Sequence, residues 1–269
     1  MTEEAVTLLS TCWASIRDLG ASISPEEWDL VTDCPGWSVR DNVSHLVAIE
    51  RKLLGLPDDP PLNEYPAYVK NDLGRFNEGA IAVRRHRAGA DVLAEFADVV
   101  AQRERMLAAM STEDFDRLGW SPIGEIPYRQ FMTVRLFDSW AHEQDMRRAL
   151  DRPGHLEGPV VDTVMAWHRR SLGFIVGKKA NAPEGSVVAF SVTGPTVVQY
   201  IVEVHDRRAT VVDRSSAIPT ATLTLDTETF NALLCGRWTA DDARARHRLT
   251  LGGDNALANA VAGALSYVM

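Results

Sequence analysis

The stretch Cys34-Pro-Gly-Trp-Ser-Val-Arg-Asp-Asn-Val-Ser-His-Leu46 decides how the front of the chain folds. Cys34-Pro-Gly-Trp37 reads as a turn. Ser38 and Asp41 then stand three residues apart just before an apolar run, which is the pattern of a capping box. Together they open a helix over about residues 39–54, with Val39, Val43, Leu46, Val47, Leu53 and Leu54 on its apolar side. His45 sits in the middle of that helix between Val43 and Leu46, so it faces the core or its edge.

Helical spacing continues on both sides. Residues 4–19 place Val6, Leu8, Leu9, Trp13, Ile16 and Leu19 at helical intervals. Ser24-Pro-Glu-Glu27 signals a short helical turn that ends near Leu30. Residues 56–66, with Pro57, Pro60, Pro61 and Pro66, read as an irregular loop. Helices are expected over about 70–88, 91–110 and 128–150, with Ser111 to Asp114 capping a short turn and Pro122, Gly124 and Pro127 breaking the chain. The texture changes after Asp151-Arg-Pro-Gly154. A helix near 158–177 precedes strand-like runs at 186–192, 197–204, 209–212 and 221–225. Helices over 227–235 and 240–246, a strand at 248–251 and a closing helix capped by Asp254 complete the chain. The expected fold class is α+β in two domains, an all-helical bundle over 1–152 and a small α+β domain over 158–269.

Composition narrows the functional classes. A net charge of −9 over 269 residues argues against a general affinity for nucleic acid or an anionic membrane. The scattered Cys12, Cys34 and Cys235 give no disulfide framework and no C-x-x-C pair. The start lacks a basic segment followed by an apolar run, and no apolar stretch approaches the ~20 residues of a membrane span, so a cytoplasmic setting is expected.

The segment DSWAHEQD, Asp138 to Asp145, carries the other chemical signal. Asp138 and His142 are four apart and share one helix face, with Asp145 three further on. Glu143 points elsewhere and is expected in solvent. Zinc is commonly held by a few His and carboxylate ligands, with an open position in catalytic sites. Two ligands from one helix and one from a facing helix make such a site in a bundle core. His45 is the best third ligand. A surface Asp/His pair is the plainer reading, and the segment lacks the second histidine of H-E-x-x-H.

Read together, Cys34–Leu46 and Arg135-Leu-Phe-Asp-Ser-Trp-Ala-His-Glu-Gln-Asp-Met-Arg-Arg-Ala-Leu150 resemble the two signature segments of the mycothiol-dependent maleylpyruvate isomerase family. The resemblance implies a DinB-like four-helix bundle at the front with a divalent metal, zinc in the first instance, on His45, Asp138 and His142. The isomerase has glutamate where this chain has Asp138, which leaves the substrate open. Leu233-Leu-Cys-Gly-Arg237 and Leu251-Gly-Gly-Asp-Asn-Ala-Leu-Ala258 resemble the family's sterol-carrier-protein-like C-terminal domain, although Asp254 also reads as a plain helix cap.

The resemblance further implies mycothiol, the thiol that replaces glutathione in actinobacteria, as cofactor or co-substrate. The expected partners are that small-molecule thiol and a small electrophilic substrate, in an isomerase or an S-transferase built as a monomer or homodimer. Arg237 is a candidate for binding a substrate carboxylate, with an exposed helix-end charge as the alternative. Asp145 or Asp41 can orient a ligand histidine, although Asp41 is expected first of all to cap its helix. Trp37 and Trp140 are expected in the core, Cys34 as a small hydrophobe beside the turn, and Arg84, Arg85 and Arg87 on a solvated face. The rival functions are a metal-dependent hydrolase without a thiol cofactor and a non-enzymatic protein that binds a small apolar ligand.

Overall fold

The computed structural model describes residues 3–268. The chain divides into two compact units, Met1–Gly154 and His155–Met269.

In the first unit, α1 (Glu4–Ala21), α2 (Val39–Leu53), α3 (Asp72–Ala82), α4 (Gly89–Ala108), α5 (Thr112–Asp116) and α6 (Tyr128–Ala149) follow one another, with a 3-10 turn at Glu27–Asp29. Helix α1 packs on α4 and α6, and α2 packs on the same two helices from the other side. Each of the four long helices therefore has two neighbours, and the four close into a bundle. Apolar side chains spaced for one helix face fill its centre: Leu9, Trp13 and Ile16 from α1, Leu46 and Val47 from α2, Phe96 and Val100 from α4, and Leu136 and Trp140 from α6 are buried.

The caps form where sequence spacing places them. Ser38 accepts from the Asp41 amide while Asp41 accepts from the Ser38 amide, which fixes the first turn of α2, and Ser111 and Asp114 do the same for α5. The front is not wholly helical, however. Leu118–Ser121 (β1) and Gly124–Pro127 (β2) pair antiparallel around Pro122-Ile123, with Ser121 opposite Gly124. The Gly124 φ of +112° and the Ser121 hydroxyl on the Gly124 carbonyl at 2.6 Å close that turn, so the same residues that break helical periodicity build a hairpin. Helix α3 is also shorter than its charge pattern suggests. It stops at Ala82, and of the arginines beyond it Arg84 and Arg85 are not on a solvated face. Arg84 is buried between Asp59 and Glu95, and Arg85 is half-buried against Asp41 and Glu78.

In the second unit, α7 (Pro159–Arg169) leads into a helical turn α8 (Leu172–Phe174) and a π-turn at Ile175–Lys179. Strands β3 (Val187–Thr193), β4 (Val198–His205), β5 (Arg208–Val212) and β6 (Ala221–Asp226) precede α9 (Thr227–Leu234) and α10 (Ala240–Ala245). Strand β7 (Leu249–Gly253) and α11 (Asn255–Gly263) close it. The sheet order is β5-β4-β3-β6-β7, antiparallel except for the parallel β3/β6 pair. Gly253 has φ +75°, and a Cβ there would lie 2.3 Å from the Thr220 carbonyl oxygen, so the close approach to β6 requires glycine. Asp254 caps α11 by accepting from the Leu257 amide at 2.9 Å. Among the described residues no helix is long and apolar enough to cross a membrane.

Candidate metal centre

Helices α2 and α6 face each other, and their polar positions meet. His45 Nε2 lies 3.2 Å from Asp138 Oδ2, and His142 Nε2 lies 3.7 Å from Asp138 Oδ1. The two imidazole centroids are 4.7 Å apart. His45, Asp138 and His142 each offer a ligand atom within 4.8 Å of the others. Both histidines are buried and Asp138 is partly exposed, so the cluster opens on the carboxylate side.

Hydrogen bonds fix which nitrogen of His142 carries its proton. The Asn42 amide nitrogen donates to the Ser38 carbonyl at 2.8 Å and to the Thr32 hydroxyl oxygen at 3.2 Å, so its oxygen is the atom that faces His142. That oxygen is 2.7 Å from His142 Nδ1, which must donate to it. In the neutral ring Nε2 then presents a lone pair, not a proton, towards the Asp138 carboxylate. Asp145, fully buried and paired with Arg148, adds a carboxylate oxygen 3.4 Å from the same Nδ1. The outer support of His142 thus comes from Asn42 and Asp145. Asp41 instead caps α2 and pairs with Arg85.

Trp37 covers the cluster. Its ring stacks on His142 with centroids 5.6 Å apart and lies 5.2 Å from His45, and its indole nitrogen donates to Glu78 Oε1 at 2.8 Å. It is therefore a wall of the cluster as well as a core residue. Trp140 is fully buried in the bundle core.

Electrostatics favour a neutral His45 beside an ionised Asp138. Burial lowers the His45 pKa, more than Asp138 raises it, and so favours the neutral ring. Burial alone would raise the Asp138 pKa, but the contacts around it, led by the Arg135 guanidinium, overcome it and hold the carboxyl well below the usual range. The donor set fits a divalent ion on these grounds. Zinc bonds of about 2.0–2.1 Å at tetrahedral angles separate two donors by roughly 3.3 Å, close to the 3.7 Å between His142 Nε2 and Asp138 Oδ1. A lone pair facing a carboxylate is unfavourable until a cation stands between them.

A second set, Cys34, His142 and Asp145, also lies within reach of one ion. It shares His142, whose Nδ1 Asn42 already holds, and Asp145, which Arg148 already holds. Cys34 packs with Trp37 and Ile81 in a small apolar cluster, but a histidine distant in sequence stands beside it. Glu143 is not in solvent. It is fully buried and accepts from Ser15 at 2.6 Å and Arg147 at 2.8 Å. Arg237 belongs to the second unit, in the turn after α9, where Nη1 donates to the Cys235 carbonyl at 3.2 Å.

Residues 9–147, which include all three donors, match the family described as the mycothiol maleylpyruvate isomerase N-terminal domain. The chain belongs to that family. Residues 176–266 match the SCP-2 sterol transfer family, so the second unit has the sterol-carrier-protein-like α+β fold. A crystal structure of the mycothiol-dependent maleylpyruvate isomerase aligns with TM-score 0.53 and 16% identity, over 93% of this chain and 92% of that chain. A histidine-to-alanine mutant of the isomerase aligns with TM-score 0.56 and 15% identity over the same shares. At that identity the likeness establishes the two-domain isomerase fold. No curated protein matches the chain.

Sequence reasoning missed Asn42 and Arg135. Arg135 stands three residues before Asp138 on the same helix face, and that spacing was the available signal; Asn42 acts on His142 across the bundle, and no local spacing marked it.

Proposed function

We propose that this member of the mycothiol maleylpyruvate isomerase family is a divalent-metal enzyme that uses a small thiol, mycothiol, to transform a small electrophile. The observation that carries the reading is the Asp138 carboxylate set between two buried imidazoles, with the His142 Nε2 lone pair turned towards it. His45, Asp138 and His142 would hold the metal, zinc being the ion their chemistry suits. A metal bound there, with a position left open, supplies the charge that keeps a thiol as its nucleophilic thiolate at neutral pH.

The chain's own residues have definable tasks. Burial keeps His45 neutral, so its ring remains a donor to a metal. Asn42 keeps the His142 proton on Nδ1 and off the ligand nitrogen. Asp138 stays ionised through Arg135. Trp37 covers two ligand rings with an apolar face and limits water on that side. Arg237 is the candidate group for a substrate carboxylate, by its match to the family's Gly-Arg segment. Isomerase action is the better supported outcome, from the family and the names of the aligned structures, and an S-transferase would use the same ligands.

The test is bound metal and thiol measured on one preparation. Purified protein is expected to hold one divalent metal per chain, with His45→Ala and His142→Ala both losing it. Mycothiol is expected to bind the metal-loaded protein and not the chelated one. Stoichiometric metal retained in both variants would overturn the ligand assignment. Hydrolysis without thiol by the loaded protein would favour the hydrolase instead.

A further inference from the structure

A row of buried charges runs from the cluster into the bundle. Asp138 Oδ2 accepts from Arg135 Nη1 at 2.6 Å, and Arg135 Nε donates to Glu50 Oε1 at 2.9 Å. Glu50 Oε2 in turn accepts from Arg103 Nε at 2.8 Å, and Arg103 Nη2 donates to the Tyr128 hydroxyl at 3.0 Å. Glu50 and Arg103 are fully buried and Arg135 is nearly so. Two arginines against two carboxylates balance the charge, which is the condition for keeping such groups out of water.

Structural balance does not explain where the row ends. Arg135 has its planar fork fixed by Glu50 on one side, and a guanidinium so held is a rigid donor. Its bond falls on one oxygen of Asp138 only. Oδ2 takes both Arg135 and the contact from His45, while Oδ1 faces His142 Nε2 at 3.7 Å with no hydrogen-bond donor among the described residues. A carboxylate left to rotate can meet a cation through either oxygen or both. A carboxylate pinned at Oδ2 cannot turn freely, and Oδ1 is the oxygen it presents.

We propose that Arg135 is a positioning residue for the metal centre: by engaging Oδ2 it makes Asp138 a one-oxygen ligand through Oδ1, with Glu50 holding Arg135 in place. The inference rests on the metal reading above and adds to it a residue that touches neither the ion nor the substrate. Partners of this outer kind typically change metal affinity by about 10–100-fold when removed.

The experiment compares the full-length wild type with Arg135→Gln, Arg135→Lys, Arg103→Lys and His45→Ala. Zinc affinity is read by competition with a chromophoric chelator, and coordination by the visible spectrum of the cobalt-loaded protein. Four-coordinate cobalt absorbs strongly, and an added ligand oxygen weakens its bands. Arg135→Gln is expected to bind zinc about 10–100-fold more weakly and to show weakened cobalt bands. Arg135→Lys is expected to fall between it and wild type. Arg103→Lys disturbs the same buried row without touching Asp138 and should keep the wild-type spectrum.

Unchanged affinity and spectrum in the Arg135 variants, or an equal change in Arg103→Lys, overturns the positioning role. If Arg135→Gln does not fold, Arg135→Lys against Arg103→Lys decides the question. A wild type that binds neither ion, indistinguishable from His45→Ala, overturns the metal reading and this inference with it. Loss of binding in His45→Ala alone leaves the metal reading standing and overturns only the role of Arg135.

Discussion

The Asn42 amide oxygen lies 2.7 Å from His142 Nδ1, and the Ser38 carbonyl and Thr32 hydroxyl hold the Asn42 amide nitrogen on its other side. The capping turn of α2 thereby sets the tautomer of a histidine on α6. Replacing Asn42 with alanine removes the acceptor and frees the ring to protonate on the nitrogen a metal needs. Zinc affinity is expected to fall about 10–100-fold, measured by chelator competition, with the bundle still folded by far-UV circular dichroism. Unchanged affinity would show that Asp145 suffices alone.

The fold was legible wherever local signals agreed with packing. The Ser38/Asp41 and Ser111/Asp114 boxes, the spacing along α1, α2, α4 and α6, and the strand runs of the second unit each carry their own physical cause. The grouping of His45, Asp138 and His142 was legible because two of its members share a helix turn and the third sits among apolar residues. The hairpin at Leu118–Pro127 was not, because Pro122 and Gly124 mark a break without saying what pairs across it. Glu143 of α6 was expected in solvent for a different reason. Periodicity cannot place a charged side chain inside when the group that neutralises it lies on another helix, as Glu50 does for Arg135, or when a hydroxyl on another helix completes its hydrogen bonds, as Ser15 does for Glu143.

Glu143 gives a direct measure of that misreading. A solvated glutamate is worth within about 0.5 kcal/mol when replaced. Here the carboxylate is fully buried against Arg147 and Ser15, and its charge together with burial also pushes the Cys12 thiol up. Glu143→Ala would strand Arg147 beside an emptied site. A loss of about 3 kcal/mol is expected, read as a lower urea midpoint at constant slope. A shift under a tenth of that size would place Glu143 in solvent after all.

His168 predicts a pH effect in the second unit. Its ring is fully buried, with Nδ1 3.2 Å from the Tyr267 hydroxyl and Nε2 3.1 Å from the Asn231 amide oxygen, and burial lowers its pKa from 6.5 to about 4. The unfolded chain therefore takes up the proton first as pH falls. The contribution is fully present above pH 6.5, declines between 6.5 and 4, and is gone below. Over that window wild type is expected to lose about 2–3 kcal/mol more than His168→Gln, compared by urea denaturation at pH 7 and 4. The His168 ring protons, followed by NMR, should titrate near 4. A midpoint near 6.5 would refute the assignment.

Removing metal should weaken the first unit without unfolding it. The neighbours of the ligands do not depend on an ion: Asn42 holds His142, Arg135 holds Asp138, and Trp37 packs on both rings. Zinc at about a thousand times its dissociation constant would add roughly 4 kcal/mol to the folded state. Chelation is therefore expected to lower the melting temperature while preserving the helical circular dichroism signal, and added zinc to restore it. His142→Ala should melt at one temperature with or without zinc, because the linkage needs the ligand. If the chelated wild type lost its helical signal at room temperature, the ion would be part of the bundle's core. The polar contacts around His142 and Asp138 would then be too weak to hold α2 against α6.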